Sequence, residues 1–292
     1  MVAAAAAVAL GTAGCNGSGN GRTSDGRLKV VAAENFWGDL ARQVGGGHVA
    51  VTSVISKPDA DPHLFEPGTD TELAVAQAAV VIVNGAGYDP FMDRLINATS
   101  STHRRIVRVS DVLHVVGDDP NPHLWYDAPR IPVVVNAVAT ALAGADPTNA
   151  VEYRRNAART IQALQPLEQS VRDLKAADAG EAVAYTERVP GDLLAAAGIR
   201  VLTPPGFAHS IENGVDPSFS DTAAMRALIT RREIKALVVN AQAQSGVTDQ
   251  LQTLARSNGI PIVSVTETMP TGDTFESWQV GQVRTLANAL AQ

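Results

Sequence analysis

The run Ala79-Val80-Val81-Ile82-Val83-Asn84 limits this chain more than any other stretch. It is continuously apolar, β-branched and of strand length, which suits a strand buried on both faces of a parallel sheet. Similar short runs recur on either side of it. Strands are expected at Leu28 to Ala33, Val49 to Ile55, Arg105 to Val109, Ala182 to Tyr185, Ile199 to Leu202, Ala236 to Asn240 and Pro261 to Val265. Helical patterns fall between them, at Phe36 to Val44, Thr69 to Ala78, Pro90 to Ala98, Ile131 to Ala143, Asp192 to Ala197, Asp221 to Arg231, Thr248 to Ser257 and Thr274 to Leu290. Strands alternating with helices of these lengths predict an α/β fold built on doubly wound parallel sheets.

One segment breaks the alternation. From Asp146-Pro147 to about Ala177 the apolar positions keep a helical period, with Pro166 expected to kink or split the run. Thirty helical residues would span roughly 45 Å, more than the width of a small domain. Such a helix suits a strut between lobes. The expected organisation is therefore a leader and tether at 1–26, an N-terminal α/β lobe at 27–144, a single long linking helix at 145–179 and a C-terminal α/β lobe at 180–292.

The leader carries its own signal. Residues 2–10 are small and apolar, Gly11-Thr12-Ala13-Gly14-Cys15 follows, and Asn16 to Gly21 is polar and glycine-rich. This pattern predicts a bacterial lipoprotein signal, with lipid on Cys15 and a flexible tether after it. Cys15 is the only cysteine, so neither an internal disulfide nor a cysteine-based zinc site is available. After position 20 no uninterrupted stretch of eighteen apolar residues occurs. The net charge of −7 and the lack of a basic stripe argue against nucleic acid as a partner.

The chemistry is concentrated in two stiff loops. Asp61-Pro62-His63-Leu64-Phe65-Glu66-Pro67 follows the second strand, and Asn121-Pro122-His123-Leu124-Trp125 repeats the idea downstream. Flanking prolines hold these backbones extended, and imidazole is the commonest metal ligand. With only six histidines in the chain, two Pro-His-Leu-aromatic loops call for a shared purpose. Ligands of parallel sheets bind beyond the carboxyl ends of strands, where Glu187 and Glu267 also fall. Two neutral imidazoles and two carboxylates would carry a charge of −2, which one divalent cation cancels, and nitrogen plus carboxylate oxygen suits manganese, iron or zinc.

Other residues have weaker roles. Gly85-Ala86-Gly87 after a strand evokes a dinucleotide loop but lacks the third glycine and the helix start that such a loop needs. Asp127 is a candidate acceptor for a ligand imidazole, and helix-start charge is the plainer explanation. His209, in the stretch Pro204-Pro205-Gly206-Phe207-Ala208-His209, is a rim-loop candidate for which a plain surface histidine is the preferred expectation, and His48 and His103 are expected on the surface. Trp37, Trp125 and Trp278 are expected to pack, with Trp125 also screening the neighbouring His123 from water.

With these motifs in place, the chain resembles the zinc- and manganese-type metal-binding solute receptors of bacterial ABC importers, the cluster A-I binding proteins. The resemblance runs from Cys15 to the C-terminus and rests on the two His loops and on Val83-Asn84-Gly85-Ala86-Gly87-Tyr88. It implies that His63 and His123 are the first two metal ligands, Glu187 the third, and Glu267, in Thr266-Glu267-Thr268, the fourth. The family often has aspartate at the last position, so the longer side chain here implies a loop set slightly farther back. Gly117-Asp118-Asp119-Pro120 stands where zinc members commonly carry a His-rich loop. The resemblance further implies an extracytoplasmic, monomeric, lipid-anchored receptor that hands one ion to an ABC permease. Such receptors show small lobe motions. Being a receptor, it is expected not to be an enzyme. The competing expectation is a metal-dependent hydrolase using the same ligands, although four protein ligands leave less room for a water than the three usual in catalytic zinc sites.

Overall fold

A computed structural model describes residues 21–57, 65–99 and 101–292 of the chain. Cys15 and His63 lie outside the described residues. In the first lobe β1 (Leu28–Glu34) leads to α1 (Asn35–Gly45), β2 (Val49–Ile55), α2 (Thr69–Gln77), β3 (Val80–Val83), α3 (Pro90–Ala98), β4 (Arg105–Arg108), the single turn α4 (Val109–Val112) and α5 (Ile131–Ala145). Its strands pair in parallel in the order β2-β1-β3-β4. All four residues of β3 are buried, as a strand covered on both faces requires.

After α6 (Ala150–Ala163) and α7 (Gln165–Asp178) the same plan is used again. The second lobe contains β5 (Ala182–Tyr185), α8 (Gly191–Ala196), β6 (Arg200–Val201), α9 (Pro205–Glu212), α10 (Phe219–Thr230), β7 (Ala236–Asn240), α11 (Gly246–Ser257), β8 (Ile262–Val265) and α12 (Phe275–Leu290). Its sheet is also parallel, in the order β6-β5-β7-β8. The chain is thus two α/β lobes on doubly wound parallel sheets, as the strand pattern predicted.

The linking segment is two helices that meet at Leu164 in place of a single long one, the split that Pro166 allowed, because a proline has no N–H for the helical ladder. α6 packs on α1 and α5 of the first lobe, whereas α7 packs on α12 and α8 of the second and on the turn Ala128–Arg130 of the first. Residues 205–212, read as part of a loop, form α9 instead. Pro205 occupies the first helical turn, where a missing N–H costs nothing.

The segment Ala128–Ala145 is, among the described residues, the one helix long and apolar enough by length and composition to cross a membrane. Its apolar residues Ile131, Val134, Val135, Val138 and Leu142 are buried in the core of the first lobe.

The lobes are not held by the linker alone. One hydrophobic core runs from Leu28 in β1 to Leu290 in α12 and draws on both sheets. Aromatic rings bridge the lobes at its centre. Phe36 lies 4.4 Å from Trp125 and 5.9 Å from Trp278, and Trp37 stacks on Phe275 at 6.4 Å. Hydrogen bonds reinforce the seam: Asn35 Nδ2 donates to the Met269 carbonyl at 2.7 Å, and Tyr126 Oη to the Thr266 carbonyl at 2.9 Å. Smaller apolar clusters back the outer face of each sheet, one around Val81 and Phe91 and one around Phe207 and Ile229.

Candidate metal centre

In an open sheet, ligands gather where the strand order reverses, beyond the carboxyl ends of the strands. That point lies between β1 and β3 in the first lobe and between β5 and β7 in the second. The two crevices face each other. Into this junction the second lobe sends Glu187, two residues past β5, Asn240, the last residue of β7, and Glu267, two residues past β8. The first lobe sends Tyr88, from the turn after β3, and His123, from the loop before α5. All five are nearly or wholly removed from solvent.

The turn that delivers Tyr88 is unusual. Gly85, Ala86 and Gly87 all have positive φ, at 76°, 53° and 81°. A Cβ at Gly85 would stand 2.2 Å from Ser110 Oγ, so only glycine fits there. Asp89 closes the turn, its carboxylate accepting from the backbone N–H groups of Asn84 and Gly85, both at 2.8 Å. Burial raises the Asp89 pKa to about 6 despite these bonds. The glycines therefore shape a tight turn that aims a tyrosine, and they cradle no dinucleotide.

Tyr88 Oη donates to Glu267 Oε2 at 2.8 Å, across the lobe boundary. Burial, and then the nearby Glu267 charge, push the phenol well above its usual pKa, so it remains a donor at neutral pH. The other oxygen, Glu267 Oε1, accepts from Asn240 Nδ2 at 2.6 Å. The same amide donates to Glu187 Oε2, so Asn240 holds both carboxylates. Gln242 completes the frame, its Oε1 accepting from the backbone N–H groups of Glu267 and Thr268.

His123 Nε2 lies 3.7 Å from Glu267 Oε2. Two atoms bound to one tetrahedral metal at about 2.1 Å would stand about 3.4 Å apart, so this spacing suits a shared ion. On the other side of the ring, Nδ1 is 2.8 Å from Asn121 Oδ1 and 3.7 Å from Glu212 Oε1. A hydrogen bond at Nδ1 leaves Nε2 as the ligating nitrogen. Asn84 Nδ2 donates to the Pro122 carbonyl at 2.8 Å and so ties the His123 loop to the end of β3. Trp125 packs edge-on to His123, ring centroids 5.3 Å apart.

Arg188, next to Glu187, spans the junction. It donates to Glu212 Oε2 at 2.7 Å and to both carboxylate oxygens of Asp119 in the first lobe. A cavity of about 460 Å³ is lined by Tyr88, Glu187, Glu212, Asp216 and Gln242.

The structure thus gathers His123, Glu187 and Glu267, while His63 falls within 58–64, outside the described residues. Among the described residues alone, no group of three His, Cys, Asp or Glu side chains is arranged to hold a metal ion. Asp127 is not the acceptor for His123: its carboxylate pairs with Arg130, and Asn121 takes the imidazole. His209 is exposed on α9 and stands 3.8 Å from Asp119. His48 pairs with Glu152 of the linking segment at 2.9 Å. Sequence reasoning missed Asn240, Gln242, Tyr88 as a donor, and Glu212. The one available signal was Asn240 itself, a polar residue closing an apolar strand in the same way that Asn84 does.

Comparison with known proteins fits this geometry. Residues 30–289 match the family described as zinc-uptake complex component A, periplasmic. The chain is 32% identical to the manganese-binding lipoprotein MntA of Halalkalibacterium halodurans over 171 residues, 57% of this chain and 56% of that protein. It therefore spans little more than half the length of that relative. The metal ABC transporter substrate-binding lipoprotein SloC of Streptococcus mutans matches at 22% identity over 93% of this chain and 92% of its own. Among solved structures, the periplasmic zinc-binding protein TroA from Treponema pallidum superposes with a TM-score of 0.78 at 19% identity, over 90% of this chain and 99% of its own. FpvC from Pseudomonas aeruginosa with Mn²⁺ gives 0.77 at 20%, over 91% and 98%. These two similarities bear on the fold.

Proposed function

The chain belongs to the periplasmic zinc-uptake component A family, and from that premise we propose that it captures one divalent transition metal ion between its lobes for an ABC importer. The ligands in this reading are His63 and His123 from the lobe at 27–144, and Glu187 and Glu267 from the lobe at 180–292. The observation that carries it is the buried meeting of His123 with Glu267 at 3.7 Å, beside a Glu187 held by the same asparagine. Burying two carboxylates is costly unless a cation offsets them, and one divalent ion cancels their charge. Relatives named as manganese-binding lipoproteins and as a metal ABC substrate-binding lipoprotein support the same cargo class, manganese or zinc, with iron next.

Both glutamates come from one lobe, so their repulsion does not push the lobes apart in the metal-free protein, as a carboxylate pair split between lobes would. The core shared by the lobes favours small motions on binding. The family and the leader sequence support a partner and a location. In this reading the receptor is a monomer, held to the outer face of the cytoplasmic membrane by lipid on Cys15, that docks on a membrane permease. It is a carrier and performs no turnover. The hydrolase alternative loses its ground, because the family matched over residues 30–289 is a metal-uptake component.

The test is calorimetric titration of metal-stripped protein with manganese, zinc, iron(II) and calcium, with elemental analysis of the loaded form. One transition metal per chain, with a raised melting temperature, is expected. His123→Ala and His63→Ala should each weaken binding by about a hundredfold or more. Parent-like affinity in both variants would end this reading.

A further inference from the structure

The stretch that carries Glu187 and the stretch that carries His123 are fastened to each other through one residue, Arg188. From the second lobe its guanidinium forks across the boundary to Asp119, Nη1 donating to Oδ2 at 3.1 Å and Nη2 to Oδ1 at 3.2 Å. Its main-chain carbonyl accepts from Asn121 Nδ2 at 3.1 Å, and Asn121 Oδ1 lies 2.8 Å from His123 Nδ1. Glu212 Oε2 accepts from Arg188 Nε at 2.7 Å and keeps the fork aimed. Among the described residues this is the one arginine– or lysine–carboxylate pair that joins the first lobe to the second.

The seam along α1 and α12 is fastened in another way. Asn35 and Met269, both buried, exchange two hydrogen bonds at 2.7 and 3.0 Å. The Asp39 carboxylate accepts from the Phe275 N–H at 2.9 Å and so caps α12 from the other lobe. Separating this seam would also pull apart the rings of Phe36, Trp125 and Trp278. The Asp119 side chain, by contrast, is 62% exposed, so water can replace Arg188 there at small cost. The lobes therefore part most readily at Arg188, with the α1–α12 seam as the pivot.

We propose that Arg188 and Asp119 are positioning residues that clamp the lobes at the edge of the metal site and set how fast a bound ion leaves. The inference rests on the metal-receptor reading above and adds to it a control on release that no ligand supplies. Two cavities adjoin at this edge. Glu187 lines the one of about 460 Å³, Arg188 and Asp119 line one of about 430 Å³, and Gly87 and Glu212 line both. An ion held from both lobes leaves when the groups of one lobe let go, and the clamp keeps the His123 stretch against Glu187 until it breaks. A contact made in the bound state and lost on the way out adds its strength to the barrier for release. Because the pair faces solvent, salt weakens it.

Asp119→Ala is the informative change, since the residue is exposed and Arg188 keeps its bond to Glu212 in the variant. Parent and variants are loaded with zinc, and separately with manganese, then mixed with excess chelator, and release is followed by stopped flow. Release should be about tenfold faster in Asp119→Ala. Asp119→Asn should fall between, because its amide oxygen still accepts but carries no charge. Raising the salt from about 0.05 M to about 1 M should speed release from the parent and leave Asp119→Ala unchanged. Arg188→Lys cannot make the fork, so the double variant with Asp119→Ala should be no faster than the faster single one. Parent-like release in Asp119→Ala, or additive effects of the two substitutions, would overturn the clamp and leave the receptor reading intact. Release from the parent that does not respond to salt would overturn it with no variant at all. A parent protein that binds neither metal would remove the receptor reading itself, and this inference with it.

Discussion

The two lobes share a sheet order and place a matching pair of residues at the switch point, yet they use the pair in opposite ways. In the first lobe β1 and β3 align Ala32 with Ile82, so two residues on Glu34 faces Asn84. In the second, β5 and β7 align Tyr185 with Val238, so two residues on Glu187 faces Asn240. Asn240 spends its amide on Glu187 and Glu267. Asn84 spends its amide on the carbonyls of Gly85 and Pro122 and accepts from Trp37 Nε1, which leaves Glu34 wholly buried with no hydrogen-bond partner for either oxygen among the described residues. In the second lobe the asparagine serves the two carboxylates of the proposed metal site. In the first it serves the loop that carries His123, and burial raises the pKa of the carboxyl beside it. In the proposed site one fold plan would thus offer nitrogen from one side and oxygen from the other.

The comparison breaks most visibly if the lobes are energetically separate. Phe36→Ala removes a ring that touches Trp125 of the first lobe and Trp278 of the second. It should cost about 3–5 kcal/mol in urea unfolding, within a single transition. Two separated transitions, with only one of them moved, would show that the shared core does not couple the lobes.

Asn84→Ala tests the first lobe's use of its asparagine. Losing the bonds to Pro122 and Trp37 leaves buried groups unpaired and should cost about 2–3 kcal/mol in the same assay. Metal affinity should also fall in this variant, because the bond from Asn84 to the Pro122 carbonyl holds the loop that carries the His123 imidazole. Parent-like affinity would show that Asn84 does not hold the His123 loop in place.

Tyr88→Phe removes a donor that the first lobe offers to Glu267, a ligand proposed in the second lobe. A bond to a charged group suggests a loss of about 1–2 kcal/mol in the metal-free protein, read from its unfolding midpoint. The metal-loaded protein should lose less, since the ion itself then ties Glu267 to His123. An equal loss in both forms would count against an ion at this junction.

Glu34→Gln is the smallest effect and the one with a pH signature. Burial, and then the charge of Asp89, raise the Glu34 pKa well above its ordinary 4.5. The folded protein therefore keeps a proton that the unfolded chain gives up above pH 4.5. Between that pH and the folded pKa the unfolded state binds fewer protons, so stability falls as pH rises. Replacing the acid with a neutral isostere removes that slope. The melting temperature of metal-free Glu34→Gln should exceed that of the parent at pH 8 and approach it at pH 4. A gain that does not vary with pH would mean that Glu34 titrates normally.

Much of this molecule was legible in its residues. Val80 to Val83 could be read as a doubly covered strand because four consecutive β-branched residues leave no polar face. The proline-flanked His123 loop could be read because the chain spells out both its stiffness and its ligand. The break at Leu164 was legible in Pro166, although the packing partners of the two halves were not. Residues 205–212 were misread because prolines at the start of a helix and in a loop look alike until the following turns close.

What the sequence determined by itself was therefore local: which stretches could be strands, which loops were stiff, and which side chains could ligate. The tertiary structure decided the roles of the residues that hold no ion. Asn240 reaches Glu187 across 53 residues of chain and Glu267 across 27, and only the parallel register of β5, β7 and β8 makes them neighbours. Glu34 and Glu187 are the same residue type in matching positions, and nothing local distinguishes them. Their use depends on where an asparagine on the neighbouring strand sends its two hydrogens, and that is set by packing between lobes.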